Sequence, residues 1–300
     1  MTGPRTIDAG ASSGVTPGEG GASSGVAFSE WIGRTETRND TVTVAPLVAL
    51  SALLDRDDPT PRAGDAAPPL AHWLYFLPAY RQSEAGPDGH AIKGGFLPPI
   101  DLPRRMWAGS RLEFLRPLVV GSEVMRVSRI KDVSEKEGRS GRLVFVTVRH
   151  EVSDGGGLVL ADEHDIVFRG ETSLAAKPVP APRDEKWRRD IHPDPVLLFR
   201  YSAVTFNSHR IHYDQPYVTQ VEGYPGLVVH GPLTATLLID LLRRSAPQVT
   251  VKTFAFRAMR PLYDTADFST CGTPDEAKRS ARLWTRDTEG AMTMEATATW

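Results

Sequence analysis

Two hydrophobic patterns alternate along the chain from residue 28 onward. One is short and apolar on every side; the other is long, with β-branched and other apolar residues recurring at alternate positions. Residues 233–242 belong to the first kind, which is how a helix reads when it is buried all round. Gly231-Pro232 opens that helix, and proline suits a first helical turn because its missing N–H costs nothing there. The stretch 28–55 also reads as helical, with an apolar core at 47–54 entered through Thr43-Val44-Ala45-Pro46 and closed by Asp55-Arg56-Asp57-Asp58-Pro59. The second pattern fills 111–118, 122–133, 142–152 and 157–168, cut by glycine-containing turns near 121, 137–141 and 154–157. Spacers this short connect antiparallel neighbours. One buried helix with a meander of long strands predicts a sheet wrapped around a helix.

The plan is written twice. After the helix at 233–242, strands are predicted again over 249–262, 267–272, 278–287 and 290–300. Leu115-Arg116-Pro117-Leu118 in the first set answers Met259-Arg260-Pro261-Leu262 in the second, at a displacement of about half the ordered chain, the mark of duplication. Between the sets, Lys177-Pro178-Val179-Pro180-Ala181-Pro182 and a mixed-charge tail read as a stiff, extended linker. Residues 1–27 are rich in Gly, Ser, Thr and Pro and hold too little apolar surface to offset the entropy of ordering. The expected division is a disordered leader at 1–27, an N-terminal half at 28–170, a linker at 171–194 and a C-terminal half at 195–300. Pattern alone reaches two α+β halves.

Charge and cysteine usage narrow the setting. With 35 basic against 37 acidic side chains, there is no footprint for nucleic acid or a membrane surface. Cys271 is the single cysteine, which excludes an internal disulfide and fits a reducing compartment. No apolar run approaches a membrane span and no signal peptide is evident, so a soluble, cytoplasmic protein is expected.

Candidate chemistry gathers in 199–232, between an apolar lead-in at 196–199 and the buried helix. It holds His209, His212 and His230 in a dense polar setting. The free N–H groups of the helix's opening turn and the positive end of its dipole favour developing negative charge. Upstream, Gly94-Gly95-Phe96-Leu97-Pro98-Pro99 is irregular, and its two glycines would allow a backbone to approach a ligand closely.

Spacing gives this loop its meaning. The run Phe206-Asn207-Ser208-His209-Arg210-Ile211-His212 resembles, without a gap, the Gly-Asp-x-Asn-Pro-Leu-His core of the MaoC-like, or R-specific enoyl-CoA hydratase, family. Tyr201, Val204 and Thr205 match its upstream positions, and residues 224–231 resemble its aromatic-x-x-aliphatic-His-Gly entry into a central helix. The family's catalytic Asp falls on Asn207, its Asn on His209 and its Pro on Arg210. That variant is similar to the hydroxyacyl-thioester dehydratase branch that includes mesaconyl-CoA and itaconyl-CoA hydratases. The resemblance implies a double hotdog fold whose two halves share one continuous sheet. It also implies hydration of an α,β-unsaturated acyl-CoA thioester, or the reverse dehydration, with no cofactor.

In that reading His212 is the base that activates water, since imidazole titrates near neutrality. Asn207 orients the water through its amide but cannot take a proton. The Gly231 backbone N–H stabilises the enolate oxygen of the thioester. Tyr201 packs, His209 either shares proton work or makes a structural hydrogen bond, and His230 holds the loop. No metal site is expected, because the histidines lack carboxylate or cysteine partners in the sequence. Neither a P-loop nor a Rossmann glycine pattern is present. The expected partner is an acyl-CoA thioester, with a homodimer left open. A hotdog thioesterase and a non-catalytic acyl-CoA-binding protein are the rival readings. A dicarboxylic acyl group would need a basic partner; Arg105, Arg210, Arg257 and Arg260 all qualify, and sequence does not choose among them.

Overall fold

The computed structural model describes residues 28–138, 141–170 and 177–300; the leader read at 1–27 and the start of the linker lie outside them. Ten strands form one antiparallel sheet in the order β1-β3-β4-β5-β2-β7-β10-β9-β8-β6. The first five are β1 (Thr35–Thr41), β2 (Arg104–Phe114), β3 (Glu123–Gly138), β4 (Gly141–Asp154) and β5 (Gly157–Arg169). The second five are β6 (Trp187–Ile191), β7 (Thr253–Ala258), β8 (Phe268–Asp275), β9 (Ser280–Asp287) and β10 (Met292–Thr299). Read inward from either edge, the order is the same. β2 and β7 meet at the centre, with Ser110 opposite Phe256 and Leu112 opposite Phe254. This is the double hotdog, two like-ordered halves fused into one sheet.

The repeated tetrapeptides mark equivalent corners. They directly follow β2, which ends at Phe114, and β7, which ends at Ala258. The N–H groups of Leu115 and Arg116 share the Val159 carbonyl, as those of Met259 and Arg260 share Thr293. Arg116 then pairs with Asp154 and Arg260 with Asp287, at the ends of β4 and β9.

The helices break the symmetry. α1 (Val44–Leu53) and α2 (Pro195–Thr205) follow the edge strands β1 and β6, and a short α3 (Gln215–Gln220) comes next. α4 (Gly231–Ser245) is the central helix and buries every residue from 233 to 242. Burying each of its leucines contributes about 1.5–3 kcal/mol. One of the ten is Asp240, held by Arg56, Arg189 and Arg244. In the first half, by contrast, α1 buries only a stripe (Leu47, Leu50, Leu53), and no helix longer than a four-residue 3-10 turn lies between it and β2. Irregular chain fills that place. Phe96, Leu97 and Ile100 cover a cluster of Ile130, Val144, Val146, Val148 and Phe168. The expectation of one buried helix per half is therefore corrected.

Three further expectations change. Within the stretch read as helical, residues 35–41 form β1, whose sequence TETRNDT has no apolar alternation to announce it. The supposed linker carries β6, paired with β8. The apolar lead-in at 196–199 is the first turn of α2, entered through the Asp194 cap, whose carboxylate accepts from Leu197 N–H. Both edge strands are charged along their length, which discourages edge-to-edge pairing. Among the described residues no helix is long and apolar enough to cross a membrane.

Candidate active site

α2 ends at Phe206, which takes a left-handed conformation (φ 49°) and turns the chain back, with Asn207 N–H donating to Ser202 O at 2.8 Å. Asn207 Oδ1 accepts the N–H of His209 at 3.0 Å, so the amide NH₂ is the end left to act on a ligand. A 3-10 turn over Arg210–His212 follows, and Asp214 caps α3 by accepting from Tyr217 N–H. His212 is buried and donates from Nδ1 to the Val228 carbonyl at 2.7 Å. Val228 N–H donates to Ile211 O at 2.9 Å, so the two segments clamp each other. With Nδ1 committed as donor, Nε2 carries the lone pair. Burial pushes His212 down to about 4, with the Val228 bond working in the opposite direction. The ring is neutral at physiological pH and able to accept a proton.

His230 stacks on His212, centroids 3.7 Å apart and planes 20° from parallel. It is fully buried, its Nε2 lies 2.9 Å from Ser202 Oγ, and burial and the neighbouring His212 hold its pKa well below the ordinary value. Next in sequence, Gly231 is the first residue of α4, and its N–H meets no acceptor among the described residues. A Cβ there would lie 3.7 Å from the Trp107 carbonyl, so β2 of the first half runs beside the helix start. Asn207, His212 and Gly231 thus belong to one loop system packed around the opening of α4.

The first half supplies residues that the sequence did not single out. Tyr80 O–H and Ser208 Oγ meet each other and share the Gly89 carbonyl. Arg210 N–H donates to Asp88 O, and its Nη1 to Pro87 O, each at 2.9 Å. Gly89 makes this approach feasible. Its φ is +89°, and a Cβ there would overlap the Ser208 carbonyl oxygen. At Gly94 and Gly95 the space beside the backbone is open, with only the Pro99 Cβ lying 3.7 Å from a Cβ placed at Gly94. Asp88 Oδ2 and His90 Nδ1 pair at 2.8 Å, and the His90 ring sits 4.0 Å from that of His209, which lies 5.4 Å edge-on from His212. Burial lowers the pKa of both His90 and His209, and His90 lowers His209 further. Burial pushes the Asp88 carboxyl up, but its side-chain and backbone bonds from His90, with the charges of the His90 and His209 rings, together hold it below the usual carboxylate range. In the sequence this segment shows only turn residues, Gly86-Pro87-Asp88-Gly89, and a turn says nothing of what it packs on.

Ligand atoms of Asp88, His90 and His209 lie within 4.8 Å of one another, so the carboxylate partner that the sequence lacked is supplied by folding. The fit to a cation is poor. Both Asp88 oxygens already accept from His90, and the positive Arg105 acts on all three groups.

The family model for hydroxyacyl-thioester dehydratase type 2 matches residues 70–264. The chain belongs to that family. Every site residue named above falls inside the matched stretch, including Tyr80, Asp88 and His90. A mesaconyl-C(4)-CoA hydratase of Chloroflexus aurantiacus is 44% identical over 270 residues, covering 89% of this chain and 95% of that one. A mitochondrial type 2 hydroxyacyl-thioester dehydratase of Schizosaccharomyces pombe is 28% identical over 226 residues, covering 65% of this chain and 74% of the relative. Among solved structures, a MaoC-like dehydratase of Phytophthora capsici superposes with a TM-score of 0.69 at 16% identity, over 89% of this chain and 95% of its own. A Mycobacterium tuberculosis protein described as a double hotdog gives 0.57 at 14%, over 89% and 96%. Family membership makes the chain a hydro-lyase of the MaoC-like group.

Proposed function

We propose that this dehydratase-family chain hydrates a short, dicarboxylic α,β-unsaturated acyl-CoA of the mesaconyl-CoA kind, and catalyses the reverse dehydration. The observation that carries the mechanism is the His212 Nδ1–Val228 bond, which leaves Nε2 as a buried, neutral base. In this reading the water is held between the Asn207 NH₂ group and His212 Nε2. Nε2 takes a proton as the water oxygen bonds to Cβ. The C=C electrons move toward the thioester, whose oxygen gains enolate charge at the Gly231 N–H and the positive end of the α4 dipole. The enolate then collapses and Cα takes a proton back from Nε2. Asn207 cannot titrate, so one imidazole serves both transfers. Atoms balance as addition of one water, and no cofactor takes part.

The second half, 195–300, is the catalytic half in this account, with the 80–92 segment of the first half closing over its loop. The buried, unpaired Cys271 supports a reducing compartment, read here as the cytoplasm. Incubating the enzyme with mesaconyl-CoA, and separately with itaconyl-CoA, tests the reading. Conjugated-thioester absorbance should fall without release of free thiol. Thiol release in step with the fall would make the protein a thioesterase; no change with any enoyl-CoA would make it a binding protein.

A further inference from the structure

Hydration of a dicarboxylic enoyl-CoA, the reading on which this inference rests, brings a carboxylate to within a bond or two of the carbon that water attacks. A negative charge there repels the developing hydroxide, so the site needs a cation beside His212. The histidines do not supply it. His90, His209, His212 and His230 all have their charged forms disfavoured by burial.

The arginines divide clearly. Arg210 is held by Asp214, Arg257 by Glu295 and Arg260 by Asp287. Arg104 reaches the Glu222 carbonyl, and both it and Arg169 reach the Tyr224 hydroxyl. Arg105 differs from all of these. Among the described residues its guanidinium makes no hydrogen bond and no ion pair. It is half-buried on β2, two residues before Trp107, whose carbonyl borders Gly231. Its charge bears on His90 and His209, the rings leading to His212, and it feels Asp88 and Tyr80 in return. Asp88 attracts it without pairing with it: one Asp88 oxygen accepts His90 N–H and the other meets His90 Nδ1.

From these positions we infer that Arg105 is the specificity residue that receives the free carboxylate of the acyl group. A guanidinium matches a carboxylate with paired donors, and one kept free of protein acceptors is already prepared for a substrate's. Burial without a partner disfavours the charged guanidinium, a cost that a bound carboxylate relieves. The same contact rejects simple fatty enoyl-CoAs, which would leave Arg105 desolvated and unpaired.

The test uses saturated thioesters, which cannot be hydrated. Affinities of succinyl-CoA and butyryl-CoA are measured by calorimetry for the wild type, Arg105→Gln and Arg105→Lys. The wild type should prefer succinyl-CoA by about 10- to 100-fold, the value of a charge-assisted contact. Arg105→Gln should bring the ratio close to one while binding butyryl-CoA within about threefold of the parent, and Arg105→Lys should restore part of the preference. A wild-type-like ratio in Arg105→Gln, or no preference in the parent, overturns the inference. So does an equal loss of both affinities with a lowered melting temperature, which would make Arg105 structural. Turnover of mesaconyl-CoA by the wild type tests the hydratase reading separately. Hydration with an Arg105-independent ratio sinks only this inference, and an Arg105-dependent ratio without hydration sinks only the hydratase reading.

Discussion

His212 donates from Nδ1 to the carbonyl of Val228 at 2.7 Å, and that bond decides which ring nitrogen is left for chemistry. Because the ring is buried, its charged form is disfavoured and its pKa falls to about 4. A base must be neutral to act, so activity is present above that value and lost below it. The pH profile of kcat/KM should be flat from about pH 5 to 8 and fall below about pH 4. Asn207→Asp should move this limb to higher pH, since a new carboxylate beside the ring favours imidazolium. Asn207→Ala should lower kcat with little change in KM, as loss of a transition-state contact does. An unmoved limb in Asn207→Asp, with full activity in Asn207→Ala, would remove Asn207 from contact with the water.

Gly89 and Ser208 join the two halves at the site, and the join leaves no room for a Cβ. Gly89→Ala should therefore displace the 207–214 loop. Positive φ adds strain of about 1 kcal/mol. Turnover should fall at least about tenfold while the sheet stays folded, as read by far-UV circular dichroism. Parental turnover in this variant would mean that the 80–92 segment does not position the catalytic loop.

Six buried or half-buried histidines (72, 90, 150, 209, 212 and 230) have pKa values lowered, with removal from water the leading cause in each. In the unfolded chain each titrates near 6.5. The unfolded state therefore binds more protons below that pH. The stability these neutral rings confer is complete above about pH 6.5 and lost as pH falls through that window, by up to about 1.4 kcal/mol per pH unit for each group. Asp162, held ionised by His164 and His72 despite its burial, does not change charge there. The urea midpoint should be clearly lower at pH 5 than at pH 7. An equal or higher midpoint at pH 5 would contradict this assignment.

Asp240 is nearly inaccessible within α4 and faces three guanidiniums, those of Arg56, Arg189 and Arg244. Two of these also donate to the Leu54 carbonyl at the end of α1, so one carboxylate ties both halves to the central helix. Asp240→Ala should cost about 3 kcal/mol, the low end for breaking a buried pair, because the arginines keep some contact with water. A denaturation midpoint within error of the parent would show that solvent compensates the cluster.

Legibility in the sequence followed contiguity. Asn207, His212 and Gly231 lie in one short stretch, so the family motif that this stretch resembles drew them together. Tyr80, Asp88 and His90 come from the other half, and only packing of the 80–92 segment on Ser208 and Arg210 brings them in. Edge strands β1 and β6 were missed for a related reason. The less exposed face of β1 carries Glu36, Arg38 and Asp40, and β6 is five residues long with Arg189 between Trp187 and Ile191, so TETRNDT and WRRDI carry little strand signal. The missing central helix of the first half was hidden by α1, whose leucines imitate a buried helix while covering only one side. Duplication, in contrast, was readable from four residues, because the Arg-Pro corner is bound by the same hydrogen bonds in both halves.

The central claim is that His212 is the proton-transferring base of an enoyl-CoA hydratase. Its most direct test follows the loss of conjugated-thioester absorbance from mesaconyl-CoA with wild type and His212→Ala at pH 7, alongside a free-thiol assay and circular dichroism. The account predicts rapid loss without thiol release in the wild type, and a folded variant slower by about two to four orders of magnitude. A folded His212→Ala enzyme that hydrates at the parental rate would contradict it.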